Sequence, residues 1–388
     1  MKKKKIAILG STGSIGKSLL KIISRDKKNY KIVLLTCNKN YKLILKQAKQ
    51  FNVKNIIVND KKYYYLALKK IKHKKINIYL NYSDFNKILR NKIDYVMSSI
   101  VGLEGLDPTY KIIKFTKKIA IANKESIICA WNLIKKECKK HKTEFIPVDS
   151  EHFSIWYGLN NNFNNNIKKV YLTASGGSLI NIPNNRIKNV NFKKILKHPN
   201  WNMGKKITTD SSTMMNKVFE VIEAKKIFEI EYKQIDIIIH PNSYVHAILQ
   251  FTNGMTKIIA HDTTMEIPIF NSINNSNNKS IFTKNINFSK LNNLNFKKVD
   301  KKKFPSINFL KQIPNQNSLF ETILVACNDE FVNKFLDKQI KFNDIYKMTS
   351  KIINKQEFKK YKKMIPSKVS QVVNLSKFVR YKINSIYN

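Results

Sequence analysis

Two acidic residues stand close together after an apolar segment. Asp149 and Glu151 follow Phe145–Val148, which has the composition of a buried strand. On an extended chain, residues i and i+2 point to the same side, so both carboxylates can converge on one cation. Two close carboxylates repel each other unless a metal or a proton lies between them, and oxygen ligands suit Mg²⁺ or Mn²⁺. A helix N-terminus with acidic caps is the alternative, and these residues alone leave both interpretations open.

A second polar group lies in the segment Asp210–Glu220, which reads as one helix that begins near its first two residues. On that helix Asn216, Lys217 and Glu220 share one face, because residues three and four apart are neighbours. A serine at the helix start, Ser211, together with an amide and a lysine can grip a phosphate group. Glu220 would add a third carboxylate to the metal site. A capped surface helix is the alternative, but it does not explain a polar face beside apolar residues.

The glycine-rich segment Gly10–Gly16 follows a short apolar strand and opens a helix-like segment. Its spacing is G-x-x-G-x-x-G, a variant of the pattern in which glycines let a pyrophosphate approach a helix N-terminus. A plain strand-to-helix turn is the alternative, but the position at the start of the chain favours dinucleotide binding. The run Thr36–Asn40 has no acid to hold the ribose hydroxyls of NAD. It carries Lys39, which can pair with a 2′-phosphate, so the sequence favours NADPH.

Two further loops could contribute to a substrate site. Thr173–Ser178 contains a Gly-Gly turn, in which successive backbone N–H groups and a serine hydroxyl can hold an anion. His198–Gly204 places Trp201 between proline and glycine, which suits a lid that closes over substrate. An ordinary loop and a core tryptophan are the alternatives.

The elements that must position these residues alternate between strands and helices in the first 150 residues, which is typical of βαβ units and a parallel sheet. The predicted helices include Tyr41–Phe51 and Ser126–Lys140. The predicted strands are Ile6–Gly10, Ile32–Cys37, Asn55–Val58, Tyr95–Ser99, Ile119–Ala122 and Phe145–Val148.

The pattern changes after about residue 150. The Asn-rich segment Asn271–Asn278 predicts the start of an exposed linker, and amphipathic segments such as Phe320–Phe335 and Asn343–Asn354 predict a small helical domain at the end. A second sheet is predicted from Val170–Thr173, Ile235–Ile239, Ala247–Phe251 and Lys257–Ala260.

Composition sets outer limits on function. The 388 residues are 43% hydrophobic and carry a net charge of +46. A sizeable core and two or three domains are expected. The charge could indicate nucleic acid, but Lys, Asn and Ile are used heavily everywhere, whereas a nucleic-acid site needs its basic residues on one face. The four cysteines form no C-x-x-C pair, and no apolar stretch approaches the roughly 20 residues that span a bilayer.

Seven segments together resemble the 1-deoxy-D-xylulose 5-phosphate reductoisomerase family, and they occur in the family's order over about residues 8–266. They are Gly10–Gly16, Ala122–Ser126, Pro147–His152, Thr173–Gly177, His198–Thr208, Asp210–Glu220 and His240–Ser243. The helical tail fits the family in length and weakly in sequence.

The resemblance implies an α/β enzyme with a Rossmann-like NADPH-binding domain at 1–149 and a central α+β catalytic and dimerisation domain with a flap at 150–273. A linker at 274–299 and a C-terminal helical bundle at 300–388 would follow. The implied reaction is the rearrangement of 1-deoxy-D-xylulose 5-phosphate and its reduction by NADPH to 2-C-methyl-D-erythritol 4-phosphate, in the methylerythritol phosphate route to isoprenoids. The implied protein is a cytoplasmic homodimer that binds a small phosphorylated sugar, neither nucleic acid nor membrane, and Mg²⁺, Mn²⁺ or Co²⁺.

By position, the resemblance also implies a role for individual residues. The catalytic residues would be Lys124, Asp149, Glu151 and Glu220, of which the three acids would bind the metal. Substrate would contact Ser150, Glu151, Ser175, His198, Trp201, Ser211, Asn216, Lys217 and Glu220, with Met203 in the flap beside Trp201. NADPH would contact Thr12, Gly13, Ser14, Ile15, Asn38, Lys39, Asn40, Asn123, Glu125 and Gly204.

The chain departs from the family pattern at several positions without losing an implied ligand. Asn38 replaces a usual glycine near the 2′-phosphate, and Val218 with Phe219 replaces a common Gly-Leu, where both are expected to face the core. Asn242 replaces a usual glutamine, and Glu266 stands where arginine is frequent. Activity is therefore expected.

Two rival functions make different predictions. A nucleic-acid-binding protein would bind DNA or RNA with a steep salt dependence, but three converging carboxylates would repel phosphate without a metal. An NADP enzyme with a cysteine nucleophile would need a cysteine on an active-site turn beside a base, and none of the four is placed so.

Overall fold

Alternating strands and helices build the first half of the chain, as predicted. The computed structural model describes residues 3–71, 75–159, 166–274 and 279–387. The first elements are β1 (Lys4–Leu9), α1 (Ser14–Ser24), β2 (Tyr30–Cys37), α2 (Tyr41–Gln50), β3 (Asn55–Val58), α3 (Lys61–Lys70), β4 (Asn77–Tyr79), α4 (Phe85–Ile88), β5 (Tyr95–Ser98), α5 (Leu106–Ile112), β6 (Lys118–Ile121), α6 (Lys124–Lys140) and β7 (Glu144–Pro147).

These seven strands form one parallel sheet in the order β4-β3-β2-β1-β5-β6-β7. The strand order reverses between β1 and β5, which is the position where open α/β sheets bind ligands beyond the carboxyl ends of their strands. The central strand is covered on both faces, since Ile6, Ala7, Ile8 and Leu9 have no exposed surface. β4 was not predicted, because Asn77–Tyr79 is a short edge strand without an apolar run.

A mixed sheet and several helices form the second half. The elements are α7 (Ser150–Gly158), β8 (Ile167–Ala174), α8 (Phe192–Ile195), α9 (Lys205–Ser212), α10 (Met215–Phe228), β9 (Ile235–Ile239), β10 (Val245–Phe251), β11 (Thr256–Ala260), α11 (Glu266–Ile273), α12 (Phe288–Asn292), β12 (Lys297–Lys298), α13 (Phe320–Leu336), α14 (Phe342–Ile353), α15 (Gln356–Lys359) and α16 (Val369–Tyr387). The five strands pair in the order β11-β10-β8-β9-β12. The predicted second sheet and helical C-terminal region are therefore confirmed.

The chain divides into two units that do not follow its sequence strictly. The first unit contains Met1–Ser126, Asn132–Asp149 and Met265–Ile281. The second contains Ile127–Trp131, Ser150–Thr264 and Phe282–Asn388. The helix α11 thus belongs to the unit of the parallel sheet.

The linker predicted from the Asn-rich segment is wrong at its beginning. Asn271 lies inside α11, and Ile269, Ser272 and Ile273 of that helix are buried. Ser272 Oγ and the Tyr95 hydroxyl lie 2.7 Å apart, so polar contacts as well as apolar burial hold α11 to the first unit. The remaining residues of that prediction, 275–278, lie outside the described residues.

The segment Asp210–Glu220 is not one helix. α9 ends at Ser212 and α10 begins at Met215, because Met214 adopts a left-handed conformation with φ of 62° that an α-helix cannot contain. Ser211 therefore lies at the end of α9 and not at a helix start. The predicted face of Asn216, Lys217 and Glu220 survives, since all three lie on α10.

No helix within the described ranges is long and apolar enough to cross a membrane.

Candidate functional site

The glycine loop forms the turn that the sequence predicts between β1 and α1. Gly10 has φ of 83°, and a Cβ there would lie 2.8 Å from the Ser99 carbonyl oxygen, just beyond the end of β5. A Cβ on Gly16 would lie 2.6 Å from the Gly10 carbonyl oxygen. Both positions therefore require glycine. The residues between them, Thr12, Gly13, Ser14 and Ile15, lead into the first turn of α1 at the topological switch point of the sheet.

The chain after β2 is exposed and carries no acid. Asn38, Lys39 and Asn40 are all exposed, and the Asn40 side chain caps α2 by accepting a hydrogen bond from the Leu43 backbone at 3.2 Å. Lys39 is thus open to solvent at the carboxyl end of a strand adjacent to β1. This placement suits a contact with an anionic group.

The start of α6 positions a lysine beside the first of the predicted metal ligands. The buried Asn123 side chain accepts a hydrogen bond from the Ser126 backbone at 2.7 Å and donates one to the Gly102 carbonyl at 2.7 Å. It therefore fixes the first turn of α6, where Glu125 is also buried. Lys124 Nζ lies 2.9 Å from Asp149 Oδ2, and both residues belong to the first unit.

A compact group of charged side chains lies on α7 and α10 in the second unit. Lys217 Nζ lies 2.8 Å from Glu151 Oε1 and also pairs with Glu220. The Ser150 hydroxyl donates to Glu151 Oε2 at 2.6 Å, and the Asn216 amide donates to Glu220. We call these five residues the carboxylate–lysine cluster. Carboxylate oxygens of its two glutamates lie within 4.8 Å of each other.

The extended-chain argument for Asp149 and Glu151 is wrong. Helix α7 begins at Ser150, so Glu151 lies in the first helical turn and not on a strand. Here a helix start and a carboxylate cluster coexist. The two alternatives that the sequence left open are therefore compatible.

Burial and charge act in opposite directions on Lys217. Its side chain is only 5% exposed, and burial disfavours the charged form. The carboxylates of Glu151 and Glu220 outweigh that effect, so the pKa of Lys217 is raised above its ordinary value. One ammonium group therefore lies between two carboxylates in a buried setting.

A buried histidine, His152, contacts the helix that carries Glu220. The sequence did not assign it a role. His152 Nε2 lies 2.9 Å from the Glu220 carbonyl oxygen, and its Nδ1 lies 3.8 Å from Glu223 Oε2. Both side chains are 1% exposed. The spacing of Glu223 three residues after Glu220 was the available signal, because it places a further acid one turn along the same helix.

The Gly-Gly loop and the histidine of the predicted lid meet in the second unit. Ser175 Oγ lies 3.0 Å from His198 Nε2 and accepts a hydrogen bond from the Gly177 backbone. His198 Nδ1 accepts hydrogen bonds from the Asn200 and Trp201 backbones at 3.1 and 3.0 Å. Since Nδ1 accepts hydrogen bonds, Nε2 carries the proton and donates a hydrogen bond to Ser175 Oγ.

Burial lowers the pKa of His198 from 6.5 to about 4, so the imidazole is neutral at neutral pH. It therefore acts as a hydrogen-bond donor through Nε2 without a charge. His198 therefore carries no positive charge at physiological pH.

The predicted lid is only partly packed. Trp201 is half-buried, with its ring edge-on to His246 at a centroid distance of 6.1 Å, and Met203 is also half-buried. Gly204 caps α9, and nothing lies within 4 Å of a Cβ added there. Trp201 is neither a core residue nor fully exposed, which fits both a lid and a loop anchor.

The residues that differ from the family pattern fit their local surroundings. Val218 and Phe219 have no exposed surface, which confirms that both face the core. Glu266 pairs with Lys21 and with Arg25 Nη1, the latter at 3.3 Å, so the acid at this position matches two cations on α1. Asn242 donates to the Asn293 carbonyl at 3.2 Å.

The cysteines are unsuited to nucleophilic catalysis. All four are buried. Burial raises the pKa of Cys37 and Cys138 to about 12 and raises that of Cys327 as well. A thiolate is the nucleophilic form of cysteine, so these thiols are inert near neutral pH.

The fold and these residues define a dinucleotide-dependent oxidoreductase of the α/β class, with a glycine loop in one unit and a carboxylate–lysine cluster in the other. The family model for 1-deoxy-D-xylulose 5-phosphate reductoisomerase matches residues 6–131. Two models of C-terminal domains of the same enzyme match residues 145–228 and 262–382. The chain belongs to the 1-deoxy-D-xylulose 5-phosphate reductoisomerase family.

Individual relatives agree over the whole chain. It is 57% identical over 385 residues to the 1-deoxy-D-xylulose 5-phosphate reductoisomerase of Pelagibacter ubique (strain HTCC1062), with 99% of each chain covered. A solved DOX-P reductoisomerase in complex with NADPH, fosmidomycin and magnesium is 28% identical, with 98% of each chain covered and a TM-score of 0.90. The Zymomonas mobilis enzyme in complex with NADPH is 27% identical, with 100% coverage of both chains and a TM-score of 0.87.

Proposed function

We propose that this chain converts 1-deoxy-D-xylulose 5-phosphate to 2-C-methyl-D-erythritol 4-phosphate with NADPH, a step of the methylerythritol phosphate route to isoprenoids. The carboxylate–lysine cluster carries the proposal, because it joins a cation-binding group and a phosphate-binding group within one buried set of contacts. The identity of the proposed substrate follows from family membership.

The acids fit a divalent cation. Glu151 and Glu220 present oxygen ligands, and Asp149 stands only two residues before Glu151 in the chain. Hard oxygen donors suit Mg²⁺, Mn²⁺ or Co²⁺, and magnesium is bound by a solved relative. Glu151 and Glu220 share Lys217 as an ion-pair partner, and a divalent cation would add positive charge beside their oxygens. When bound, the cation polarises the substrate's oxygens and stabilises negative charge on them.

The remaining polar residues bind and orient the substrate. Lys217 and Asn216 project from α10, and Ser211 lies at the end of α9. Ser175 and the neutral His198 add a hydroxyl and an imidazole N–H as uncharged hydrogen-bonding groups. Together they suit a phosphate group, which prefers several donors and one full positive charge. Trp201 and Met203 exclude water as parts of a flap that closes over the substrate.

The cofactor binds to the first unit in this proposal. Thr12, Gly13, Ser14 and Ile15 contact its pyrophosphate at the start of α1, where backbone N–H groups point outward. Asn38, Lys39 and Asn40 hold the 2′-phosphate, and Asn123 and Glu125 also contact the cofactor. Lys124 orients the substrate beside the nicotinamide. NADPH supplies the hydride that reduces the rearranged carbonyl.

The proposal includes a cytoplasmic homodimer formed through the second unit. β11 is the end strand of its sheet; Ile258 on this strand is 53% exposed, and Met255 in the turn just before it is 64% exposed. An exposed apolar edge strand is a surface that soluble proteins usually cover. A second copy of the chain is the proposed cover.

An NADPH oxidation assay tests the activity. With 1-deoxy-D-xylulose 5-phosphate and Mg²⁺ or Mn²⁺, absorbance at the reduced nicotinamide band falls, and the product is identified by mass spectrometry. With chelator, the rate falls to background and recovers when metal is restored. A folded, metal-loaded protein that consumes no NADPH with this substrate would refute the proposal.

A further inference from the structure

Helix α9 connects the flap to the proposed phosphate site and is too short to fix its own position. It has eight residues, follows the flap at Gly204 and ends next to the left-handed Met214. Isolated helices of this length are unstable in water, so neighbouring contacts must hold it in place. Its last turn carries Ser211.

One side of α9 rests on the Gly-Gly loop. Ser212 Oγ lies 2.9 Å from Ser178 Oγ, and a Cβ on Gly177 would lie 2.8 Å from the Ser212 Cα. This contact ties the end of α9 to the loop that carries Ser175. Both proposed phosphate-binding serines therefore depend on where α9 lies.

The opposite anchor comes from α13 in the helical C-terminal region. Asn328 Nδ2 donates to Asp210 Oδ1 at 2.8 Å, and Lys206 Nζ lies 2.9 Å from Asp329 Oδ1 and 3.3 Å from Asp210 Oδ2. Asp210, Asn328 and Asp329 are at most 3% exposed. Arg380 on α16 pairs with Asp329 Oδ2 at 2.8 Å.

Ion pairs and one hydrogen bond connect this group. Lys206 pairs with the buried carboxylates of Asp210 and Asp329, and Asn328 donates to Asp210. Arg380 pairs with both Asp329 and Glu330. Breaking these contacts leaves a buried carboxylate short of a partner, which is costly. The group is therefore suited to holding α9 in one position.

We propose that Asn328 and Asp329 are positioning residues for the substrate phosphate, which act through Asp210 and Lys206 to fix the helix that carries Ser211. This inference rests on the proposed function. It gives the helical C-terminal region a specific role in substrate affinity, although neither residue belongs to the carboxylate–lysine cluster.

Steady-state kinetics of the full-length protein test the inference. Asn328→Ala and the nearly isosteric Asp329→Asn are each expected to raise KM for 1-deoxy-D-xylulose 5-phosphate about tenfold, which corresponds to about 1.4 kcal/mol. The inhibition constant of inorganic phosphate should weaken in parallel. The value of kcat should stay within about threefold, because the carboxylate–lysine cluster is not displaced.

Three comparisons separate the possible outcomes. Lys206→Met should raise the substrate KM, and Lys206→Arg should recover most of the loss because it keeps a cation between the two acids. Glu357→Gln breaks a partly exposed pair with Lys382 in the same helical region and should leave every constant unchanged. Folded variants with unchanged substrate KM and phosphate inhibition would overturn the inference, as would a parallel loss in all constants. A wild-type protein that does not turn over the substrate would instead refute the proposed function.

Discussion

Helix α10 carries two buried lysines that face different surroundings. Lys217 lies near the beginning of the helix, between Glu151 and Glu220, with its side chain 5% exposed. Lys226 lies near the end, with its side chain 7% exposed and its Nζ 2.8 Å from Glu321 Oε1. Residue types and burial are nearly the same in the two places, so neither can distinguish a ligand site from a structural contact.

The carboxylates that each lysine contacts do distinguish them. Lys226 pairs with one carboxylate, that of Glu321, which also accepts a hydrogen bond from Ser318. Lys226 further donates to the Ile128 carbonyl at 2.5 Å, beside the kink at Ala130 where α6 departs from helical geometry. Lys217 instead contacts two carboxylates, those of Glu151 and Glu220. In the proposed function these two glutamates also bind a divalent cation, whereas Glu321 has no such role.

The largest expected effect is on kcat, and it distinguishes the carboxylate of Glu220 from that of Glu321. Glu220→Gln removes a proposed metal ligand with almost no change in volume. We expect kcat to fall by at least about 10³-fold, or about 4 kcal/mol in the activation free energy, because metal stabilisation of developing charge is worth several kcal/mol. NADPH affinity should stay near wild type, as measured by fluorescence titration.

The matched control is the same substitution in the other pair. Glu321→Gln keeps its volume and hydrogen-bonding capacity and leaves the carboxylate–lysine cluster intact. Its kcat should stay within about threefold of wild type. Equal losses in the two variants would show that the two carboxylates at Lys217 do not mark the active site, and a near-wild-type rate in Glu220→Gln would show that this carboxylate is not a ligand.

The sequence predicted the fold well where periodicity decides it. Strands such as Asn55–Val58 and Ile235–Ile239 were found with their observed bounds, because apolar runs between turns are a strong signal. The left-handed conformation of Met214 was not predictable. The position has neither glycine nor asparagine, and a bulky residue rarely adopts that conformation. The edge strand β4 escaped for the opposite reason, since it buries too little to need an apolar run.

At the site, the sequence predicted residue types better than their local geometry. Asn216, Lys217 and Glu220 share a helix face as expected, because i,i+4 spacing is a local property. Glu151 lies at the start of a helix and not on a strand. A pattern of a few residues does not distinguish these two conformations. The anchors at Asn328 and Asp329 could not be predicted, because contacts over more than 100 residues leave no local pattern.

The second prediction concerns stability and uses the lysines themselves. Lys226→Met leaves Glu321 buried without its cation and should lower the free energy of unfolding by about 3 kcal/mol. Lys217→Met should cost a comparable amount in chelator, because Glu151 and Glu220 then repel each other. Saturating Mg²⁺ should restore about 2–3 kcal/mol to Lys217→Met and nothing to Lys226→Met. Urea unfolding with and without metal measures both. Equal responses to Mg²⁺ would contradict the distinction drawn between the two lysines.

The smallest effect is expected when both charges of the structural pair are removed. Replacement of a buried ion pair by apolar residues of similar volume is often neutral, because the desolvation cost of both ions disappears with their attraction. The double variant Lys226→Met/Glu321→Met should therefore unfold within about 1 kcal/mol of wild type, far less than the single Lys226→Met variant loses. Its kcat should also stay within about threefold, since α10 keeps Glu220 and Lys217 in place. If the double variant is as unstable as the single one, the Ile128 carbonyl and Ser318, and not the ion pair, account for the role of Lys226.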